Sequence, residues 1–256
     1  MNEDENGRRR FLQRALAAGS ALVLAGCERL SRSEWFTGVL GSAEKLNFGV
    51  QRLLLPRKAM AQEFTEADLS PDFRSNGTRN PDDAEYQALA AHGFADYRLQ
   101  VDGLVEHPRT YSLDELKALP SRIQITRHDC VEGWSAIGKW KGVQLARVLD
   151  AVGPLPSARY VVFYCADPMD ASGTRYYESI DMEDAWHVQT LLAYELNDAP
   201  LPIKNGAPIR VRVERQLGYK MAKYVMRIQL VDRLDTIAGG KGGYWEDRGY
   251  EWYAGI

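Results

Sequence analysis

Four short stretches rich in β-branched and aromatic residues, "RIQITRHD", "ARYVVFYCA", "PIRVRVER" and "VMRIQLVD", read as strands and restrict the chain to folds that seat them in sheets. "DYRLQVDGLV" alternates apolar and polar residues around Asp102-Gly103 and predicts a further hairpin. Between the strands, "SLDELKAL" opens with Ser112 and carries Glu115 three residues on, a capping box that starts a short helix before Pro120. "QLARVLDAVG" is a helix stopped at Gly153-Pro154, and "SIDMEDAWHVQTLLAYELN" predicts a longer helix capped by Ser179. Strands and helices mix without a regular strand-helix-strand alternation, so the fold class expected is α+β. "RIQITRHD" puts Ile123, Ile125 and Arg127 on one face and delivers Cys130 at or just beyond its end.

A chain of 256 residues suffices for one sizeable domain, and 45% apolar with 26% charged residues is ordinary globular usage. A net charge of -3 supplies no basic face for nucleic acid. Thirteen Tyr and six Trp are a rich supply for core and pocket walls.

The N-terminus carries Arg8, Arg9 and Arg10, then Phe11-Leu12 and an apolar run too short to span a bilayer. The pattern fits a twin-arginine export signal over residues 1–27, which places the mature protein on the periplasmic side of the cytoplasmic membrane. Leu24-Ala25-Gly26-Cys27 has the form of a lipobox, with Cys27 as lipid anchor. Residues 28–70 are expected to form an amphipathic helical linker, because apolar residues recur at helical spacing from Phe36 to Leu54. "SPDFRSNGTRNPDD" reads as loop, and the compact domain is expected over 71–256. The closing "AGGKGGYWEDRGYEWYAGI" is too apolar at Trp245, Tyr250, Trp252 and Tyr253 to stay in water, and is expected to fold back near a pocket mouth.

The chain has no G-x-G-x-x-G after a strand, no Walker loop, no G-x-S-x-G elbow, no H-E-x-x-H and no C-x-x-C-H. Its four histidines are scattered, which argues against zinc. With Cys27 set aside, Cys130 and Cys165 remain, and in an oxidising compartment they are open to pairing. The flanks of Cys130 read instead as a site. Arg127 and His128 supply positive charge that favours a thiolate, and Glu132 and Trp134 follow on the loop. These residues leave disulfide, nucleophile and ligand open.

"CVEGWSAIGKWKGVQLARVLD" closely resembles the molybdenum-cofactor domain of the sulfite oxidase superfamily, in the branch of the bacterial periplasmic methionine sulfoxide reductase catalytic subunit. The resemblance resumes at "LPIKNGAPIRVRVERQLGYKMAKYVMRIQLVD" and covers about Pro71 to Asp232. It implies a mixed α/β molybdopterin-binding fold, with Cys130 as thiolate ligand of molybdenum beside the dithiolene sulfurs. Asn205 and Arg210 match cofactor-binding positions, as do Met221, Ala222 and Lys223, and Arg74, Ser75 and Asn76 fall where the first contacting loop belongs. Cys165 stands where the branch has a cofactor-contacting threonine. Tungsten would require the same protein groups.

The classical sulfite oxidases follow their cysteine with a Gly-Asn-Arg-Arg type run, whereas here Val131-Glu132-Gly133-Trp134 follows. No C-terminal immunoglobulin-like domain is expected, and the resemblance implies a monomer. The activity implied is oxygen-atom or two-electron transfer, reducing a sulfoxide or another S- or N-oxide, small or protein-bound. Arg127, His128 and Glu132 are candidates to orient substrate or protons. A separate electron carrier, for which a membrane haem protein is the precedent, completes the expectation. Sulfite-type oxidation and a cofactor-free, lipid-tethered binding module are the alternatives.

Overall fold

The computed structural model describes residues 33–54 and 56–256. The signal, with Arg8, Arg9 and Cys27, lies outside the described residues. The chain divides into two units, Met1–Leu54 and Leu55–Ile256. In the first, α1 (Glu34–Leu54) is one unbroken helix of 21 residues that leaves Trp35, Leu46, Leu53 and Leu54 exposed. No helix among the described residues is long and apolar enough to cross a membrane.

The second unit begins well before residue 71. Phe64 N–H donates to Ile125 O at 2.9 Å, and Ser70 exchanges bonds with Ile137 through both its backbone N–H and its hydroxyl. Residues expected as linker therefore lie along a strand of the domain. Backbone pairing of this kind leaves no periodic trace in side chains.

Two sheets form the unit, as the α+β expectation requires. The first runs β2 (Arg109–Ser112), β1 (Arg98–Gly103), β10 (Val225–Val231), β5 (Tyr160–Pro168), β6 (Arg175–Asp181). Its β1–β10 pair is parallel and the others antiparallel. The second runs β3 (Ser121–Cys130), β4 (Trp134–Gln144), β7 (Leu191–Leu196), β8 (Ala199–Pro200), with β9 (Arg210–Arg212) also on β7. Helices α2 (Ala84–Ala91), α3 (Leu113–Ala118), α4 (Leu145–Val152) and the single turn α5 (Met182–Ala185) connect them.

Local chemistry sets most boundaries. Ser112 caps α3 by accepting from Glu115 N–H at 3.1 Å, and Glu115 accepts from Ser112 N–H at 2.7 Å. Gly153 ends α4 in the left-handed region at φ 63°. Asp102-Gly103 is not a two-residue turn. Gly103 closes β1 where Leu230 O would lie 2.3 Å from an added Cβ, so the close approach of β10 explains the glycine.

The expected long helix from Ser179 is a second correction. Ser179 and Ile180 are buried in β6, Asp181 caps the one-turn α5 by accepting from Asp184 N–H at 2.8 Å, and Leu191–Leu196 is β7. A central strand buried on both faces carries a continuous apolar run, which periodicity does not distinguish from a helix.

Candidate cofactor site

Cys130 is the last residue of β3, and its side chain belongs to the buried face of that strand. That face is Gln124, Thr126, His128 and Cys130, while Ile123 on the opposite face is 53% exposed. Polar residues point inward because partners from distant segments meet them. Gln124 donates to Glu214 Oε1 at 2.7 Å and to Gln189 O at 3.0 Å. Glu214 is held bidentately by Arg212, through Nε at 2.9 Å and Nη2 at 2.6 Å, both side chains fully buried.

Arg212 Nη1 lies 3.1 Å from His128 Nδ1. A guanidinium only donates, which assigns Nδ1 as acceptor and the ring proton to Nε2. Burial, then the charges of Arg210 and Arg212, hold the His128 pKa well below its usual value, so the ring is neutral. His128 is thus a positioning residue behind the site. Met221 Sδ sits 3.2 Å from its Nδ1, and Gly218 presses on the ring so closely that a Cβ would lie 2.4 Å from Cε1.

In front of Cys130 a cavity encloses about 240 Å³, lined from several elements. Loop 76–78, Glu132, Asp167 at the end of β5, Tyr176 on β6, Tyr219 and Lys223 form most of its polar lining. Val131, Met169, Met221, Trp245 and Tyr250 form its apolar side. Trp245 and Tyr250 stack at 5.4 Å and 29°, so the C-terminal segment supplies one wall of the pocket.

Cys130 and Cys165 are both free, which excludes their pairing here. Burial, with the Glu132 carboxylate, pushes the Cys130 thiol up, opposed by the Glu132 backbone N–H and by the charges of Arg210 and Arg74. The cations that favour its thiolate are therefore Arg210 and Arg74. Arg127, named from sequence for that role, is on the exposed face of β3 and pairs with Asp129 at 2.9 Å, and His128 carries no charge.

Of the remaining candidates, Arg210 is fully buried, donating to Asn205 O and to Asn76 Oδ1, both at 3.2 Å. Burial and then Arg212 pull its pKa down to about 9. Lys223 Nζ donates to Asn76 O at 2.6 Å and to Thr78 O, which ties loop 76–78 to the 218–223 segment. Burial, then Arg210, pulls Lys223 down to about 7. Ser75 donates to Lys204 O at 2.5 Å, and Arg74 lies over the Trp134 ring. Glu132 lines the cavity and accepts from Trp134 Nε1 at 2.9 Å.

Ala222 is buried in the 218–223 segment and its carbonyl accepts from Val211 N–H. Cys165 is buried in β5 and is not among the cavity-lining residues; Asp167, two residues on, is. Sequence reasoning missed Asp167, Tyr176 and Arg212, which carry no local motif.

The site has the donor set a phosphorylated pterin dithiolene requires. A free thiol faces the cavity, a guanidinium and an ammonium group stand close by, and Asn205 Nδ2 and Arg210 Nε are buried without a hydrogen-bond partner among the described residues. Fold and site together define a molybdopterin-binding domain. Residues 87–236 match the family described as oxidoreductase molybdopterin binding domain, and the chain belongs to that family, within the sulfite oxidase superfamily.

The chain is 39% identical over 248 residues to a provisionally named protein-methionine-sulfoxide reductase subunit, YedZ1, of Azospira oryzae, covering 97% of this chain and 87% of that one. It is 36% identical over 243 residues to the protein-methionine-sulfoxide reductase catalytic subunit MsrP of Xanthomonas axonopodis pv. citri, covering 90% of this chain and 72% of that one. The sulfane dehydrogenase SoxCD of Paracoccus pantotrophus aligns with TM-score 0.49 and 25% identity, over 54% of this chain and 39% of that one.

Proposed function

We propose that this chain is an exported molybdenum enzyme that reduces a sulfoxide, or a related S- or N-oxide, with Cys130 as the protein's ligand to the metal. One observation carries the reading: a free, buried thiol faces a cavity, and two buried donor atoms, Asn205 Nδ2 and Arg210 Nε, have no protein partner among the described residues. The relatives named as methionine sulfoxide reductase subunits support the choice of substrate class.

When bound, the cofactor supplies two-electron chemistry, by which a sulfoxide takes up two electrons and two protons and leaves as thioether and water. Arg210, Asn205 and Lys223 hold the phosphate end through charge and hydrogen bonds. Met169, Met221 and Trp245 give one side of the cavity an apolar surface, which strengthens the electrostatic contacts made there. Glu132, aimed by Trp134 Nε1 and exposed at its other edge, brings protons from solvent.

Electrons come from a separate carrier, for which a membrane haem protein is suited, since the chain has no C-x-x-C-H of its own. Export follows the twin-arginine signal, with Cys27 lipidated at the periplasmic face; loss of lipid labelling in Cys27→Ser tests the anchor. The activity is tested on cofactor-loaded protein by following oxidation of a reduced dye with sulfoxides and N-oxides, against sulfite with an electron acceptor. Faster turnover of the oxides supports the reading, and brisk sulfite oxidation with no oxide reduction reverses it. Glu132→Gln is expected to slow oxide reduction by about 10²-fold while leaving metal content unchanged.

A further inference from the structure

The first residues of the second unit are bound to the loop after α5. Gln189 holds the Ala61 backbone twice, accepting from its N–H at 2.8 Å and donating to its carbonyl at 3.1 Å. His187 receives the Gln189 N–H at Nδ1, at 3.3 Å, so its ring proton is on Nε2 and is donated to Ala59 O at 3.1 Å. Arg215 donates to Arg57 O at 3.2 Å. These bonds set Arg57 and Lys58 beside Trp186 and Val188, in an open groove of about 850 Å³ that Arg159 and Glu183 also line.

Burial alternates along this loop. His187 and Gln189 turn inward to hold the segment, while Trp186 is 41% and Val188 38% exposed, and Met60 beside Ala61 is 47% exposed. The three cations of the groove face one carboxylate, Glu183, which Arg57 meets at 3.2 Å. An exposed indole among surplus cations suits the boundary between water and a bilayer, where the ring is half immersed and the cations meet headgroup phosphates.

The chain that leads into the groove has matching chemistry. The exposed apolar residues of α1, Trp35, Val39, Leu46, Val50, Leu53 and Leu54, fall within about 100° around its axis. Such a stripe, on a helix not apolar enough to cross a membrane, suits a helix lying in the interface. Arg57 follows Leu54 by three residues, at most about 11 Å of extended chain, so a surface that takes Leu53 and Leu54 is within reach of the groove's cations.

We propose that the groove of Arg57, Lys58, Arg159 and Trp186 is a membrane-docking surface, seated on the anionic headgroups of the bilayer that holds the chain. The proposal rests on the reading of the chain as exported and anchored at Cys27. Docking fixes which face of the domain a membrane-bound electron carrier meets.

The test uses the full chain, purified from the membranes of a host that exports it and returned to vesicles of equal parts phosphatidylglycerol and phosphatidylcholine, the latter brominated just below its headgroup. Bromine quenches only an indole that enters the bilayer, and the difference between wild type and Trp186→Phe isolates the emission of Trp186 from that of Trp35 and the rest. Trp186 is expected to lose roughly half its emission in the anionic vesicles and to recover it in vesicles of phosphatidylcholine alone. Lys58→Glu with Arg159→Glu is expected to lower the ratio of docked to undocked chains by more than about tenfold, with an unchanged melting temperature because both side chains are exposed. Unquenched Trp186 in a chain that sediments with the vesicles overturns the docking and leaves the anchor standing, the result also given by a groove that takes a protein instead. Equal quenching in neutral vesicles or in the double variant overturns the choice of anionic headgroups. A wild-type chain that does not sediment with the vesicles overturns the anchor and the docking together.

Discussion

Lys220 Nζ lies 2.7 Å from Glu246 Oε1, with both side chains fully buried, and this contact fastens the C-terminal segment to the core of the domain. Glu178 on β6 takes the same ammonium at 2.5 Å. Two carboxylates thus share one lysine directly behind the wall that Tyr219, Trp245 and Tyr250 give the cavity. Burial raises Glu178 well above its usual range, and although burial also opposes the charge on Lys220, the two carboxylates outweigh it and hold its proton.

Lys220→Met removes the cation and leaves both carboxylates buried. A loss of about 3–5 kcal/mol is expected in denaturant unfolding. The unpaired carboxylates would have folded pKa values raised above their unfolded ones, so the loss is fullest at high pH and shrinks as pH falls and they protonate. A pH-independent loss would show that the cluster acts by packing alone.

Asp167 gives a second pH signature, in the cofactor-free protein. Burial raises its pKa from 3.8 to about 6, against the pull of its own backbone N–H, of Lys223 and of a hydrogen bond from the Thr78 side chain. Between these values the folded state holds the proton and the unfolded state has released it, so folding is disfavoured as pH rises. Relative to Asp167→Asn, wild type is expected to lose roughly 3 kcal/mol between about pH 4 and pH 7. Parallel stability curves for the two proteins would contradict the burial of this charge.

Gly218→Ala places a methyl group 2.4 Å from His128 Cε1. The ring is fully buried, and its Nδ1 is engaged by both Arg212 and Met221, which resists its displacement. Destabilisation by about 1–3 kcal/mol is expected, with pterin content reduced because Met221 and Lys223 follow on the same segment. Thermal melting and pterin counting report the two effects separately.

Arg127→Ala is expected to leave pterin content and turnover within about twofold of wild type, since an exposed pair such as Arg127–Asp129 contributes about 0–1 kcal/mol. A large loss of turnover with retained cofactor would restore Arg127 to the site.

The place of Cys130 at the end of a strand, the Asn205-to-Arg210 motif and the return of the aromatic C-terminus were legible because each is local or belongs to a recognisable segment. The orientation of β3 was not. Ile123 and Ile125 would ordinarily mark the inner face, but Gln124 and His128 turn inward to meet Glu214, Gln189 and Arg212, which come from far along the chain. The same distance effect misplaced the charge thought to act on Cys130: Arg210, from β9, stands where Arg127 was expected. "LLAYEL" read as helix because a strand buried on both faces is apolar at nearly every position, Glu195 being the exception here. Asp167 had no signal at all, since its meaning comes from an irregular strand end meeting a cavity built by other segments.

The central claim is that the Cys130 thiolate meets the metal of a bound pterin cofactor, and X-ray absorption at the metal edge tests it most directly. Cofactor-loaded wild type is compared with Cys130→Ser, with metal and pterin counted in both. The account predicts near-stoichiometric molybdenum in the wild type and one sulfur neighbour fewer in the variant, with pterin still present because Arg210, Asn205 and Lys223 are intact. An unchanged sulfur count in Cys130→Ser, or well-folded wild type carrying neither metal nor pterin, would contradict it.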